Sequence, residues 1–478
     1  MDSVSPPNAP IPRRKRRWVR FMFWTGVALI ALWLGALLMA TWDLQRATES
    51  LKSRGKPVSF GEALAQIQSS ASVPNGADFL RRAVQENERL GKPGDLASSV
   101  GTGSTLPYSP QEVLALTPLL ANGERLNELL DQAVASTPGP LTEQGDLAGL
   151  KNPYQFDHVQ EIRSLARLLW ADARFSASTG DFRRAFRRLK TQYRLSEQLS
   201  SEAFIMPQLI RLSIISLANH AVRTSIPLTG FSSEELAELA DLAARIDRKL
   251  MVAPALVNER AMVSTVFQDQ KALAEEMRDI ASSTFRSGVA RNHAFVFMEY
   301  RWIDLITSPL GLPARRRAAA QALNIPNDVL DLADKPPPWP QERKQTFEAW
   351  NEALNIGRLS INGSPEGGAS MLTYAALRIH RQLAMVQLAL RLRRFDLLHG
   401  KLPDRLEDLC DASMPELPMK WFEGKPFVYT KKGRSFTLTA NPSITPEIAL
   451  TNNQQREAWG LLLEIDADAA KSQSSPSK

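Results

Sequence analysis

The sequence is poor in the residues that build metal and disulfide sites. Its 478 residues include one cysteine and five histidines. The single Cys410 excludes a disulfide within the chain, so packing must stabilise the fold, and we expect Cys410 to be a small packed residue at a helix end. The histidines lack the spacing of three or four converging zinc ligands. They are His158, His220, His293, His380 and His399. We therefore predict no metal centre and no cofactor.

Motifs for nucleotide binding and nucleophilic catalysis are also absent from the sequence. It has no Walker loop, dinucleotide fingerprint or serine hydrolase elbow. GTGS at 101–104 lacks the strand, lysine and spacing of a phosphate loop. The adjacent carboxylates Glu407 and Asp408, and Glu234 and Glu235, lie in charge-rich segments, which indicates solvated faces rather than general acid–base work. We predict no catalytic residue.

The body of the chain lacks an excess of either charge. Residues 1–20 contain six basic side chains against Asp2, which leaves 52 basic and 50 acidic side chains for the rest. The six are Arg13, Arg14, Lys15, Arg16, Arg17 and Arg20. A nucleic-acid-binding domain usually carries a basic excess on its folded part. The charge distribution therefore argues against a nucleic acid partner.

Residues 21–42 contain no charged side chain. As a helix they would measure about 33 Å, enough for a hydrocarbon core of about 30 Å. Tryptophans near both ends suit the membrane interfaces, and the basic cluster should stay cytoplasmic. We predict a bacterial inner-membrane protein with a basic cytoplasmic tail at 1–20, a transmembrane helix at 21–42 and a periplasmic body. A cleaved signal peptide is the alternative, but its apolar run is normally only about 7 to 15 residues.

The body is predicted to be mainly α-helical. Residues 43–110 read as a stem and a Gly/Ser/Pro-rich linker, and 111–360 as an extracytoplasmic domain of antiparallel helical hairpins. Two apolar stripes at helical spacing lie on either side of Gly180. They are Ile162, Leu165, Ala166, Leu169 and Ala173, then Phe182, Ala185, Phe186, Leu189 and Tyr193. Residues 207–222 should form a buried core helix, and Ser232 with Glu235 a capping box.

The hairpin around Gly180 resembles a tetratricopeptide unit. Gly180, Asp181, Phe182 and Ala185 match the turn and the small packing residue that opens its second helix, whereas Gln192 replaces an expected small residue. The resemblance covers about 34 residues, without a second copy at that period. It implies helical-hairpin packing.

Basic side chains on the second helix of this hairpin form a possible interaction face. Its residues are Arg183, Arg184, Arg187, Arg188 and Arg194. The face could bind lipid headgroups or an acidic partner, because basic surfaces attract anionic ones. The alternative is a solvated face whose charges are paired with nearby acidic residues.

Residues 371–445 are predicted to form a small α+β unit, and 466–478 a disordered tail. In HGKLPDRLEDL, Gly400 suits the left-handed residue that ends a long helix, and Pro403 the first turn of the next. KPFVYTKKGRSFTLTA reads as two strands around a KKGR turn.

This C-terminal unit resembles the soluble end of type II secretion pseudopilins. The matching residues are Gly400, Leu402, Pro403, Leu406 and Leu409, then Gly424, Lys425, Pro426 and Tyr429. A similar arrangement recurs in families of uncharacterised bacterial membrane-anchored proteins. The chain departs from pseudopilins in three ways: about 330 residues separate the unit from the membrane segment, 419–424 replaces an acidic turn, and no prepilin signature precedes Phe21. The resemblance implies an anchored protein with a pseudopilin-like end rather than a filament subunit.

Together these features predict a non-enzymatic, membrane-anchored extracytoplasmic scaffold or interaction protein, linked to envelope transport or secretion. Its partners would be the bilayer, through residues 21–42, and other envelope proteins. An enzyme with an unrecognised helical active site and a carrier of an apolar ligand are the alternatives. The sequence leaves the oligomeric state open.

Overall fold

The computed structural model describes residues 13–69, 76–101, 106–139, 141, 157–202, 204–228, 230–251, 253–269, 308–324, 368–410, 426–439 and 462–465. The chain is mainly helical, as predicted. The helices are α1 Arg13–Lys52, α2 Phe60–Ser69, α3 Ala77–Arg89, α4 Pro93–Gly101, α5 Pro110–Asn122, α6 Glu124–Ala135, α7 Asp157–Ser178, α8 Phe182–Gln198, α9 Ile205–Ser225, α10 Ser233–Arg248, α11 Ala253–Gln268, α12 Leu312–Leu323 and α13 Gly368–His399. The strands are β1 Val428–Lys432, β2 Ser435–Thr439 and β3 Leu462–Ile465. The predicted tail at 466–478 lies outside the described residues.

The chain forms two compact units, residues 1–59 with 260–324 and residues 60–259 with 325–478. The bounds of the second unit differ from the predicted domain boundaries. Residues 60–110 belong to the same unit as the helices that follow, not to a separate stem. Helix α13 packs against α9 and α10, so it is part of this unit and not of a separate C-terminal one. The apolar faces of these helices are buried only when the segments combine.

In the first unit, α1 is one continuous helix of 40 residues that is long and apolar enough to cross a membrane. It begins at Arg13, so the predicted basic tail is in part the first turns of the same helix. The apolar side chains between residues 21 and 42 are largely exposed, from Val27 at 40% to Leu38 at 71%. Near its other end Leu44 packs on a small core of Val266, Phe267 and Ala319.

Residues 93–101, which the composition assigns to a linker, form the helix α4 instead. Their small side chains allow close packing on α7. A Cβ on Gly94 would lie 2.8 Å from the backbone nitrogen of Leu168. The same glycine and serine residues that are typical of loops here permit helix contact, which composition alone does not reveal.

Helices α7 and α8 pack against each other on either side of Gly180, whose φ of +86° closes the turn. Asp181 caps α8 by accepting from the Arg184 amide at 3.0 Å. All five predicted stripe residues of α7 are buried; on α8 Ala185, Leu189 and Tyr193 are buried, whereas Phe182 and Phe186 are half-buried. Helix α9 is a core helix, as predicted for 207–222.

Helix α10 begins with the predicted capping box. The Glu235 amide donates to Ser232 Oγ at 3.2 Å, and the Ser232 amide donates to Glu235 Oε2 at 2.9 Å. Leu236, Leu239 and Leu242 then form part of its buried face.

Gly400 ends α13 with φ +71°, and its amide donates to the Asp396 carbonyl at 2.9 Å. The prediction for Pro403 is wrong: the next helix is a short 3-10 turn at Leu406–Leu409, so Pro403 lies outside any helix, three residues before that turn. Tyr429 Oη donates to the Pro403 carbonyl at 3.0 Å, a tertiary contact between β1 and this segment. Cys410 is exposed rather than packed.

The two predicted strands are present as the antiparallel hairpin β1–β2, with Thr430 opposite Thr437. A third strand, β3, pairs antiparallel with β2 and places Leu463 opposite Leu438. Arg434, beside the turn, donates to the Asp396 carboxylate at 2.8 and 3.2 Å. The hairpin is thereby attached to the end of α13.

Candidate functional site

The five arginines of the predicted interaction face occupy three different environments. Arg183 and Arg187 are exposed on α8. Arg184 and Arg188 turn toward α7, and Arg188 retains only 5% of its side-chain exposure. Arg194 lines a groove farther along the helix. They therefore do not form one surface.

Asp172 of α7 is the reason that two of these arginines point inward. Its carboxylate is fully buried and accepts from Arg188 Nε at 2.8 Å and from Arg184 Nε at 2.9 Å. Asn127 and Ser176 donate to the same carboxylate at 3.1 and 3.2 Å. A buried charge is tolerated when it is paired and hydrogen-bonded, as Asp172 is.

More exposed carboxylates complete this network. Glu124 contacts Arg184 at 2.9 Å and Arg188 at 3.4 Å, and Asp131 contacts Arg188 at 3.0 Å. The alternative of charges paired with nearby acids thus describes Arg184 and Arg188. Asp172 was detectable in the sequence as the one acid in the run LLWADARF, but its partners were not.

A second buried polar group joins α7 to α9. The Trp170 indole Nε1 donates to His220 Nδ1 at 3.1 Å. Burial, together with the nearby Arg174 and Arg223 guanidinium groups, lowers the pKa of His220 to about 4. His220 is therefore neutral at physiological pH and serves as a packed acceptor.

Arg174 packs against Trp170, with its guanidinium carbon 4.7 Å from the indole ring centre and 5.2 Å from the Tyr108 ring centre. Its Nη1 donates to the Gly101 carbonyl at 2.8 Å. Burial lowers the pKa of this guanidinium. These contacts fasten α4 to α7 and give Arg174 a structural role.

The described residues also form an open, charged groove of about 850 Å³ between α8, α10 and α13. Its charged lining residues are Arg194, Arg245, Arg248, Arg391, Arg394, Glu234, Glu238, Asp241 and Asp247. The lining has five basic and four acidic groups, so no single charge dominates. We call this surface the α10 groove.

Ion pairs at the edges hold the groove's three helices together. Arg245 of α10 contacts Glu197 of α8 at 3.2 Å, and Lys190 contacts Glu238 at 2.5 Å. His380 of α13 lies 2.5 Å from Asp247. These contacts therefore connect the three helices that form the walls of the groove.

Glu234 at the start of α10 is held ionised. Its own backbone N–H and the Ser232 hydroxyl lower its pKa, and Arg394 lowers it further. An acid–base catalyst at neutral pH usually needs a raised carboxyl pKa. Glu234 is better suited to binding a cationic group than to proton transfer.

Within the ranges that the structure describes, no group of three or more His, Cys, Asp and Glu side chains could hold a metal ion. His380 pairs with Asp247, and His399 stacks on Phe395 with ring centres 4.1 Å apart. The side chains of His158 and His293 lie outside the described residues.

No protein-family model matches this chain, and neither the curated proteins nor the solved structures include a match.

Proposed function

We propose that this protein is a membrane-anchored scaffold that binds a charged segment of another envelope protein in the α10 groove. The observation that carries the proposal is the combination of an exposed apolar helix with an open groove lined by charges of both signs. Arg184 and Arg188 are held inward by Asp172, whereas Glu234, Asp241 and Arg248 of the groove have exposed side chains.

The exposed surface of α1 supports membrane anchoring. Leaving a large apolar side chain in water costs about 1.5 to 3 kcal/mol relative to burial. Phe21, Trp24, Leu32 and Leu38 are each at least 65% exposed, and a bilayer would cover them. The basic cluster before Phe21 then favours a cytoplasmic N-terminus and an extracytoplasmic body.

The presence of both charges in the groove supports a protein partner. A mixed-charge peptide can pair with both signs, and such pairing gives specificity more than raw affinity. The walls are fixed by the Arg245–Glu197 and Lys190–Glu238 pairs, so a partner would meet a preformed surface.

In-cell photocrosslinking tests the scaffold proposal. A photoreactive residue replaces Ala237 or Ala244 in the groove, and Ala115, exposed on α5, is the matched control position. We expect a discrete adduct from the groove positions and none from Ala115. Absence of any adduct from both groove positions in folded protein would overturn the proposal.

Charge reversal then separates the groove from the predicted basic face. Arg248→Glu should reduce the adduct several-fold, because it alters the groove, whereas Arg187→Glu on the exposed side of α8 should leave it unchanged. The opposite pattern would assign binding to the arginine face.

A reporter enzyme active only outside the cytoplasm, fused to the C-terminus, should be active if the topology is as proposed.

A further inference from the structure

A second segment runs beside the apolar helix within the first unit. It consists of the 3-10 turn Pro309–Gly311 and helix α12. Trp33 Nε1 donates to the Leu310 carbonyl at 3.0 Å, and Arg316 Nη1 donates to Thr41 Oγ1 at 2.5 Å. Successive contacts advance along both segments, so the turn and α12 follow α1 in the same direction.

These contacts fix the depth of the segment relative to α1. Trp33 lies nine residues before Trp42, which is about 14 Å along a helix. Residues 21–42 match a hydrocarbon core of about 30 Å, so Trp33 would lie near its middle. The Leu310 carbonyl, bonded to Trp33, would then lie at the same depth.

The chemistry of residues 308–314 suits that depth. SPLGLPA has no charged residue, and Leu310 is 67% exposed. Pro309 and Pro313 have no backbone N–H to satisfy. The Gly311 amide donates to the Ser308 carbonyl at 3.0 Å, and the Leu312 amide donates to Pro309. Irregular backbone in a bilayer needs such internal satisfaction.

The first charged residues of this segment lie at the depth where the membrane–water interface is expected. Arg315, Arg316 and Arg317 follow directly, and Arg316 is bonded to Thr41, next to the end of the apolar run. Arg317 is exposed. Arginine at this level can contact lipid phosphates, and exposed Leu310 can contact acyl chains.

We propose that Ser308–Arg317 inserts into the leaflet that surrounds the C-terminal half of α1, with Leu310 among acyl chains and Arg317 among anionic headgroups. The protein then contacts the bilayer through a wedge as well as a spanning helix. This inference rests on the proposed membrane anchoring by α1. It fixes the first unit against the membrane surface and limits how far α12 can move from α1.

The test uses full-length Cys410→Ser protein in vesicles of phosphatidylcholine and phosphatidylglycerol, with single cysteines at Leu310, Arg317, Leu32 or Ser50. Leu32 is the control for the depth of α1, and exposed Ser50 is the control for water. We expect a membrane-impermeant maleimide to label positions 310 and 32 about tenfold more slowly than position 50, because thiols in apolar surroundings stay protonated and unreactive.

Lipids carrying a nitroxide quencher give an independent depth readout on the same cysteines bearing a fluorophore. Quenchers at the middle of the acyl chain should act most strongly on positions 310 and 32, and headgroup quenchers on position 317. Labelling of 310 as fast as 50, with 32 protected, would overturn the wedge and leave the anchor intact. Labelling of 32 as fast as 50 would overturn both.

Discussion

Arg188 Nε of α8 lies 2.8 Å from Asp172 Oδ2 of α7, and both side chains are almost completely buried. This contact converts a helix whose sequence looks like a solvated basic surface into part of the interior. Replacing Asp172 by Asn should remove the one buried counter-charge of Arg188 and Arg184 and leave them only the more exposed Glu124 and Asp131. We expect Asp172→Asn to lower the free energy of unfolding by about 3 kcal/mol.

Glu124→Gln is the matched control for this prediction. Glu124 contacts the same two arginines but is 49% exposed, so its removal should cost at most about 1 kcal/mol. Denaturant unfolding of both variants in detergent measures the difference. Equal losses would show that burial of Asp172 does not govern the network.

His220 should make stability depend on pH. Its pKa is about 4 in the fold against 6.5 in an unfolded chain. The unfolded state therefore binds more protons between these values, and stability falls as pH drops through that window. The loss should be about 2 to 3 kcal/mol and should be complete near pH 4.

The variant His220→Gln isolates this effect, because a glutamine carbonyl can still accept from Trp170 but does not titrate. Unfolding midpoints measured from pH 6.5 to 4 should fall less steeply in the variant than in the natural protein. Parallel curves would mean that His220 does not contribute to the pH dependence.

The left-handed backbone conformation at position 400 should require glycine. Its φ is +71°, and an added Cβ would meet nothing within 4 Å, so any cost is backbone strain alone. We expect Gly400→Ala to destabilise the protein by about 1 to 2 kcal/mol. Gly61 in α2 also has open space and no left-handed φ, so Gly61→Ala should be neutral or slightly stabilising. Thermal unfolding compares them, and similar shifts would contradict the assignment.

Arg434 should hold the β-hairpin on α13. It donates twice to Asp396, whose side chain is fully buried. Arg434→Ala should cost about 1.5 to 3 kcal/mol, because bonds to charged groups are lost, and should speed amide exchange in β1 and β2. Lys432→Ala, at the exposed end of β1 beside the turn, should leave exchange unchanged. Faster exchange in both variants would point to turn composition instead.

Local sequence patterns were sufficient to predict several elements of the fold. The stripe from Ile162 to Ala173 is buried, and Ser232 with Glu235 forms the expected capping box. Gly180 and Gly400 both have a positive φ at helix ends. These features depend on residues within one or two helical turns, so their spacing in the sequence contains the necessary information.

Long-range contacts explain where predictions from the sequence were wrong or incomplete. Residues 93–101 look like a linker until α7 lies close enough to need small neighbours, as Gly94 shows. Pro403 lies outside the 3-10 turn, and its carbonyl accepts a hydrogen bond from Tyr429, 26 residues later. β3 pairs with β2 across more than 20 residues, and its four residues were too short a pattern to predict.

Periodicity, charge and glycine act locally, so the amino-acid sequence was enough to predict a mainly helical chain, one long apolar helix and the ends of several helices. Which charges face inward depends instead on contacts between helices. Arg184 and Arg188 are turned inward by Asp172, whereas Arg194 joins the α10 groove. The type of residue does not decide whether a charged side chain is buried or exposed. Burial requires that packing places a counter-charge beside it where water is excluded.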